Sequence, residues 1–228
     1  MKELELTEKE ETKKQNTIRF INATQEIIDE EKLDGVSIRK ISQRAGFHNS
    51  TIYLYFKDLD HLIMLASMKY FREYSHSLEL QGKKQLSPSE NFLAIWDLFI
   101  DTIMKKPNIF YNFFFGKRSD NLQEIMNLYY EVFPEERDHL SKEIESMYFD
   151  KNITDRCLKL LSLIVNEKNH VTNENLVMLN EITVSYLKYK LKQKCQNPEF
   201  DSLSLKKDIL AAISHITGIE LKYSAVSN

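Results

Sequence analysis

The side chains of this 228-residue chain that could do chemistry are hydrogen-bonding groups that follow a tight turn near the N-terminus. The turn has the sequence Ala45-Gly46-Phe47, and the polar set after it is His48, Asn49, Ser50, Thr51 and Tyr53. Amide, hydroxyl, phenol and imidazole groups on one short segment can pair with base edges and phosphate oxygens. The pattern therefore indicates recognition by hydrogen bonds.

Two short helices must position this polar set. Ser37 is a suitable N-cap for a first helix that ends at Arg44, and a second helix runs from about Asn49 to Tyr55. Gly46 can take the positive φ that the turn between them needs. The residues expected to face inward are Ile38, Ile41, Ala45, Phe47 and Ile52. The segment therefore reads as a helix-turn-helix, whose second helix presents its first residues to the major groove of DNA.

Longer helices are expected on both sides of this motif. Thr17–Glu31 carries isoleucines at helical spacing, and Gly35 is the expected glycine beyond its C-terminus. Asp58 is a candidate N-cap for a long helix that reaches Leu80. We therefore expect a charged N-terminal arm over 1–14, a three-helix DNA-binding domain over 15–60 and a connecting long helix over 61–81.

The segment from Gly35 to Leu62 resembles the tetracycline-repressor (TetR) family of bacterial transcription regulators. The matching features are Ser37-Ile38-Arg39 at the start, Ala45-Gly46 at the turn, Thr51-Ile52-Tyr53, and Tyr55-Phe56 at the end. Several spaced matches in the expected structural context make the resemblance specific. Beyond this segment the chain is similar to the family only in its helical layout.

The resemblance implies particular DNA contacts. Ser37 matches a phosphate-binding position, and Arg39 lies where the family places a base or phosphate contact. Asn49 and Ser50 occupy variable recognition positions, whereas Thr51, Tyr53 and Tyr55 match positions that touch the DNA backbone or the bases. The family has a lysine where this chain has Leu59, and we expect Lys57 to replace that phosphate contact only in part.

Alternative structural roles stay open for several of these residues. Tyr53 could pack inside the small domain, His48 could cap a helix or bind phosphate, and Arg39 and Lys40 could form a solvated face. Phe56 is expected in the core.

The remainder of the chain predicts helices joined by short loops. Only five Gly and four Pro occur, which is too few for a strand-rich fold, so the predicted fold class is all-α. A polar linker over Gly82–Pro88 should introduce a larger helical domain, over 82–228, that binds a ligand and dimerises. Its helices are expected at Ser89–Met104, Pro107–Gly116, Ser119–Phe149 with a break near Pro134, Thr154–Asn166, Asn173–Cys195 and Ser202–Thr217.

Aromatic residues are concentrated in the first part of the larger domain. The run Phe110–Phe115 points all round a helix and must be covered on several sides. These rings are either ordinary core or one wall of a pocket for a largely apolar small molecule. Lys117 and Arg118 could meet an anionic end of such a ligand or lie in solvent. The predicted pocket residues are Trp96, Phe99, Phe110, Phe114 and Tyr129.

The last two helices predict a homodimer. Asn173–Cys195 carries two apolar stripes, of which its own core can cover only one, and Ser202–Thr217 has a similar apolar surface. In the family that the N-terminal segment resembles, the last two long helices pair with their symmetry mates. We therefore expect self-association through 173–195 and 202–217.

Charge and composition narrow the function. The stretch from Val36 to Lys57 carries four basic residues and no acid, whereas the rest holds 27 Lys and Arg against 34 Asp and Glu. A basic island on an acidic body suits a protein that touches phosphate with one face. Cys157 and Cys195 are expected to be reduced and structural. No membrane span, glycine-rich phosphate loop or metal-ligand spacing occurs, so we expect no enzyme, metal, cofactor or membrane partner.

These features together predict a cytoplasmic bacterial repressor, located at the nucleoid when bound to DNA. It should bind a palindromic double-stranded operator and be released by a small-molecule ligand. A helical protein-binding adaptor without DNA binding is the alternative, followed by a helical enzyme.

Overall fold

The computed structural model describes residues 2–165 and 167–221, with side chains from residue 8 onward. All regular elements in these ranges are helices, as the scarcity of Gly and Pro predicts. The α-helices are α1 (Lys2–Glu31), α2 (Ile38–Ala45), α3 (Leu59–Ser67), α4 (Arg72–Gly82), α5 (Pro88–Lys105), α6 (Pro107–Phe115), α7 (Leu122–Val132), α8 (Lys142–Tyr148), α9 (Ile153–Ser162), α10 (Leu176–Gln196) and α11 (Ser202–Thr217). Short 3₁₀ helices cover Leu33–Gly35, Asn49–Leu54, Met68–Phe71, Ser119–Asn121 and Pro134–Glu136. No described helix is long and apolar enough to cross a membrane.

The chain forms two compact units, and the first is discontinuous in sequence. The first unit contains Met1–Arg72 and Asn121–Arg137, and the second contains Glu73–Asp120 and Asp138–Asn228. The sequence analysis assigned all of 82–228 to one domain, so the structure divides the chain differently. The reason is α7, which packs against α1 and α3 and buries the apolar residues Leu122, Ile125 and Met126.

The first unit begins with a helix that is longer than expected. The predicted arm over 1–14 is helical and continuous with the predicted helix Thr17–Glu31. The structure corrects the role of Gly35, because the residue that follows α1 in a left-handed conformation is Lys32, at φ 63°. Gly35 instead closes the next 3₁₀ turn, where an added Cβ would lie 2.3 Å from the Cβ of Glu31.

The predicted long helix Asp58–Leu80 is divided in the structure. Asp58 caps α3 as expected, since its carboxylate accepts a hydrogen bond from the His61 backbone N–H at 2.8 Å. The 3₁₀ segment Met68–Phe71 then separates α3 from α4. The tighter winding of such a segment rotates the side-chain positions that follow it.

The second unit is a bundle around an aromatic core. Ser87 and Glu90 form a capping box that starts α5, and Pro88 and Pro107 occupy the first helical positions of α5 and α6. α10 packs against α9, α6 and α11. The predicted helix Ser119–Phe149 is not one element, because α7 and α8 belong to different units. The predicted end of another helix, Asn166, lies outside the described residues.

Candidate nucleic-acid interface and apolar interior

The backbone of the predicted helix-turn-helix has the expected caps. The Ser37 hydroxyl accepts a hydrogen bond from the Lys40 backbone N–H at 3.4 Å, which starts α2. Gly46 has φ 77°, the left-handed conformation that the turn requires. The second helix, Asn49–Leu54, is a 3₁₀ helix and is called the recognition helix below. At six residues it is long for this tightly wound type, which occurs mostly in shorter pieces.

Aromatic residues beneath the recognition helix fix its position. Phe20 of α1 is fully buried, and its ring stacks on Phe47 at 4.7 Å and meets the edge of Phe56 at 5.8 Å. Ile41 and Ile52 are buried beside them. Phe56 is therefore a core residue, as expected.

The outer face of the recognition helix brings together most of the predicted polar set. His48, Asn49 and Ser50 are exposed, and Thr51 is half-buried. His48 also caps the helix, because its Nδ1 accepts a hydrogen bond from the Ser50 backbone N–H at 3.4 Å. Tyr53 is 59% exposed, which excludes the packed role left open for it.

Leu54 is the residue on this face that the sequence analysis missed. Its side chain is 74% exposed, more than any other large apolar residue among those described. The signal was available, since Leu54 precedes two aromatic residues that turn inward and therefore belongs to the opposite side of the helix.

Tyr55 lies apart from the exposed set. Its ring centroid is 5.5 Å from that of Phe20, and its hydroxyl accepts a hydrogen bond from Asn16 Nδ2 at 2.9 Å. The half-buried Tyr55 therefore links the end of the recognition helix to α1, and its predicted DNA contact stays a prediction.

Acidic residues neutralise much of the predicted basic island. Lys40 pairs with Glu31 of α1, and Lys57 pairs with Glu124 of α7. Arg44 contacts Glu30 at 2.7 Å, and this hydrogen bond lowers the pKa of Glu30 below its usual value. Arg39 is exposed on α2. Counting charges along the sequence missed these pairs because the acids come from distant segments.

The predicted apolar pocket is nearly closed. The second unit contains a cavity of only about 20 Å³ beside Trp96 and Phe99, room for about one water molecule. Pockets for small molecules usually occupy at least about 300 Å³. The Phe114 ring packs against Phe99 at 5.2 Å, and Phe110 stacks behind Phe114. These four rings form a packed aromatic core.

Two other residues proposed for ligand contacts lie elsewhere. Tyr129 belongs to the first unit, where its buried hydroxyl donates a hydrogen bond to Glu136 at 2.6 Å. It is therefore removed from the predicted pocket, because α7 packs with the DNA-binding elements. Lys117 is exposed at the end of α6.

A buried arginine is the main residue of this interior that the sequence analysis overlooked. Arg156 of α9 is 2% exposed, and its guanidinium lies 5.6 Å from the Phe114 centroid and 5.3 Å from that of Tyr148. Burial raises the pKa of the neighbouring Tyr74 hydroxyl, and the positive charge of Arg156 partly opposes this effect. The helical spacing of Ile153, Arg156 and Leu160 could have placed Arg156 on the apolar face of α9.

One group of metal-ligating side chains occurs among the described residues. His76, Glu79 and Asp138 lie close together on the second unit, with His76 Nδ1 3.6 Å from Asp138 and 3.9 Å from Glu79. Spacing along the sequence did not predict this group. The Lys83 ammonium is 2.9 Å from Glu79 and competes with a cation there, so ion pairing already explains the cluster.

The exposed face of α10 partly confirms the predicted double stripe. Met178, Ile182 and Tyr189 are exposed along one side of the helix, whereas Leu187 is fully buried in the core of the unit. In α11, Ile213 is buried as well. An uncovered apolar face therefore exists on α10, but it consists of different residues from those that close the core.

Solved structures share this fold, although no protein-family model and no curated protein matches the sequence. FadR of Bacillus subtilis, solved in complex with stearoyl-CoA, is 15% identical, with a TM-score of 0.55 over 87% of this chain and 98% of FadR. RolR, solved in complex with resorcinol, is 15% identical, with a TM-score of 0.60 over 92% of this chain and 91% of RolR. A TetR regulator from Rhodococcus sp. RHA1 is 16% identical, with a TM-score of 0.54 over 96% of this chain and 100% of the regulator.

The helical fold and the exposed helix-turn-helix define a class: this is an all-α chain with the architecture of DNA-binding regulators. More particularly, the chain has the fold of the TetR-family transcription regulators, as the N-terminal resemblance implied.

Proposed function

We propose that this protein is a homodimeric, sequence-specific DNA-binding transcription regulator whose operator affinity is lowered by a small molecule. The observation that carries the proposal is the recognition helix, where polar side chains stand exposed after a left-handed glycine turn. An aromatic core holds this helix from below, so that its outer face is pre-organised for a major groove.

The reading residues have separate roles in this proposal. Ser37 and Arg39 contact phosphate at the start of α2, and Asn49, Ser50 and Tyr53 reach base edges or the DNA backbone. Lys57 contributes a further phosphate contact when Glu124 does not hold it. Phosphate contacts fix the register on DNA, whereas base contacts choose the sequence.

Dimerisation supplies the second half of the reading unit. A twofold dimer places two recognition helices on successive turns of a palindrome. The exposed face of α10, which contains Met178, Ile182 and Tyr189, supports self-association through 173–195, with 202–217 alongside. A ligand that binds better to one spacing of the two helices would shift the dimer toward that spacing.

The adaptor alternative is not favoured, because the solved structures with this fold are described as transcription regulators. The test is binding to DNA from the region flanking the gene, followed by fluorescence anisotropy over a range of salt concentrations. We expect protection of a palindrome, and affinity that falls steeply with salt because phosphate contacts release counterions. The matched control is Arg39→Gln, which should reduce the salt slope. Absence of any preferred DNA sequence would refute the proposal.

A further inference from the structure

The aromatic interior of the second unit contains a positive charge that a closed core does not need. Arg156 is 2% exposed and lies on the apolar face of α9, beside Cys157 and Leu160. Burial raises the pKa of the Cys157 thiol to about 12, which reflects how far this interior is removed from water. Moving a guanidinium into such a place is costly. An apolar side chain of similar length would fill the same space at lower cost.

A second polar group faces the same small cavity. Trp96 lines it, and the buried Nε1–H of Trp96 has no hydrogen-bond acceptor among the described residues. Buried donors are almost always satisfied, so an unsatisfied indole N–H indicates an acceptor that enters from outside the chain. The charge of Arg156 and the donor of Trp96 therefore ask for the same kind of group.

We propose that Arg156 and Trp96 receive the anionic head group of an otherwise apolar ligand. The inference rests on the proposed function and names the ligand class: a carboxylate or phosphate joined to an aliphatic or aromatic body. A guanidinium binds either head group through two parallel hydrogen bonds. The remaining wall, which includes Ile95, Phe99 and Leu160, is apolar and suits the body of such a molecule.

The closed cavity sets a condition on binding. A space of about 20 Å³ admits a water molecule but no organic ligand, so side chains must move when the ligand enters. Met147 lines the cavity, and its unbranched side chain adapts readily to a new space. The head group thus enters where the core is easiest to repack, and the described state is the ligand-free one.

The single tryptophan makes the proposal directly measurable, because Trp96 is the only fluorophore of its kind in the chain. The full-length protein is titrated without DNA with octanoate, 3-phenylpropanoate and octyl phosphate, and with the neutral alcohols 1-octanol and 3-phenylpropanol. We expect saturable changes in Trp96 fluorescence, with an anion binding about tenfold more tightly than its matched alcohol, as a charge-assisted hydrogen bond provides. Equal affinity for anions and alcohols would overturn the proposal, as would the absence of any binding, which would leave only a buried water.

Variants separate the head-group contacts from general packing. Arg156→Gln should abolish the preference for anions, whereas the same change at the exposed Arg137 should preserve it. Trp96→Phe removes the N–H donor, and calorimetry should then show several-fold weaker anion binding. Circular dichroism checks folding; if Arg156→Gln does not fold, Trp96→Phe and the comparison of anion with alcohol decide. An unchanged anion preference in the folded variants would contradict the proposal. Because no DNA is present, failure of operator binding would leave this readout intact.

Discussion

Single side chains on the recognition helix carry the first prediction. Asn49 is exposed in the first turn, and an amide can form two hydrogen bonds with adenine. Asn49→Ala should relax base preference by about 1–3 kcal/mol at one position of each half-site. Selection of binding sequences from a random pool measures this change. An identical selected sequence for wild type and variant would remove Asn49 from the base-reading residues.

Leu54 leads to a different prediction at the same scale. An exposed leucine beside groove-reading groups can cover the 5-methyl group of thymine. Replacing that thymine by uracil should weaken wild-type binding by about 0.8 kcal/mol, the value of one buried methylene-sized group. The Leu54→Ala variant should be insensitive to the same replacement. Uracil placed outside the half-sites serves as the control, and equal losses for both proteins would contradict a methyl contact.

How far residue roles follow from sequence depends on where their partners lie. The caps at Ser37 and Asp58 and the left-handed Gly46 were predicted correctly, because each depends on neighbours within a few positions. Arg156 and Tyr129 were misjudged or missed, since their surroundings are assembled from distant segments. Local patterns therefore predicted the helix-turn-helix but not the interior of the second unit.

Among the elements, α7 has an unexpected effect on the DNA-binding surface. Its Glu124 pairs with Lys57, so one predicted phosphate contact is occupied within the first unit. Glu124→Gln should release Lys57 and strengthen DNA binding at low salt. The slope of log affinity against log salt should steepen by about 0.9 for each lysine that reaches a phosphate.

The exposed Glu131 on the same helix provides the matched control for this change. Glu131→Gln alters the net charge equally but is not paired with Lys57. If both variants change the salt slope to the same extent, the effect is one of overall charge and the Lys57 interpretation fails.

For the whole molecule, the exposed face of α10 predicts the state of assembly. Ile182 lies on this face, whereas Leu187 and Ile213 are core residues whose replacement would disturb folding. Ile182→Glu should therefore give folded monomers that bind a full palindrome weakly, because each monomer then binds a half-site alone. Sedimentation at micromolar concentration measures the change. Leu163→Glu, at an exposed leucine outside α10, should remain dimeric, and a monomeric wild type would contradict the interface.

The division of the first unit between two stretches of sequence has a consequence for how the protein is made. During synthesis, α1 to α3 leave the ribosome well before Asn121–Arg137, so they wait with an apolar surface uncovered. A fragment that ends at Arg72 should for this reason aggregate or refold poorly, although it contains the complete helix-turn-helix. Adding a peptide of residues 121–137 should rescue its refolding yield. The DNA-reading part of this chain thus reaches maturity late, although it is synthesised first.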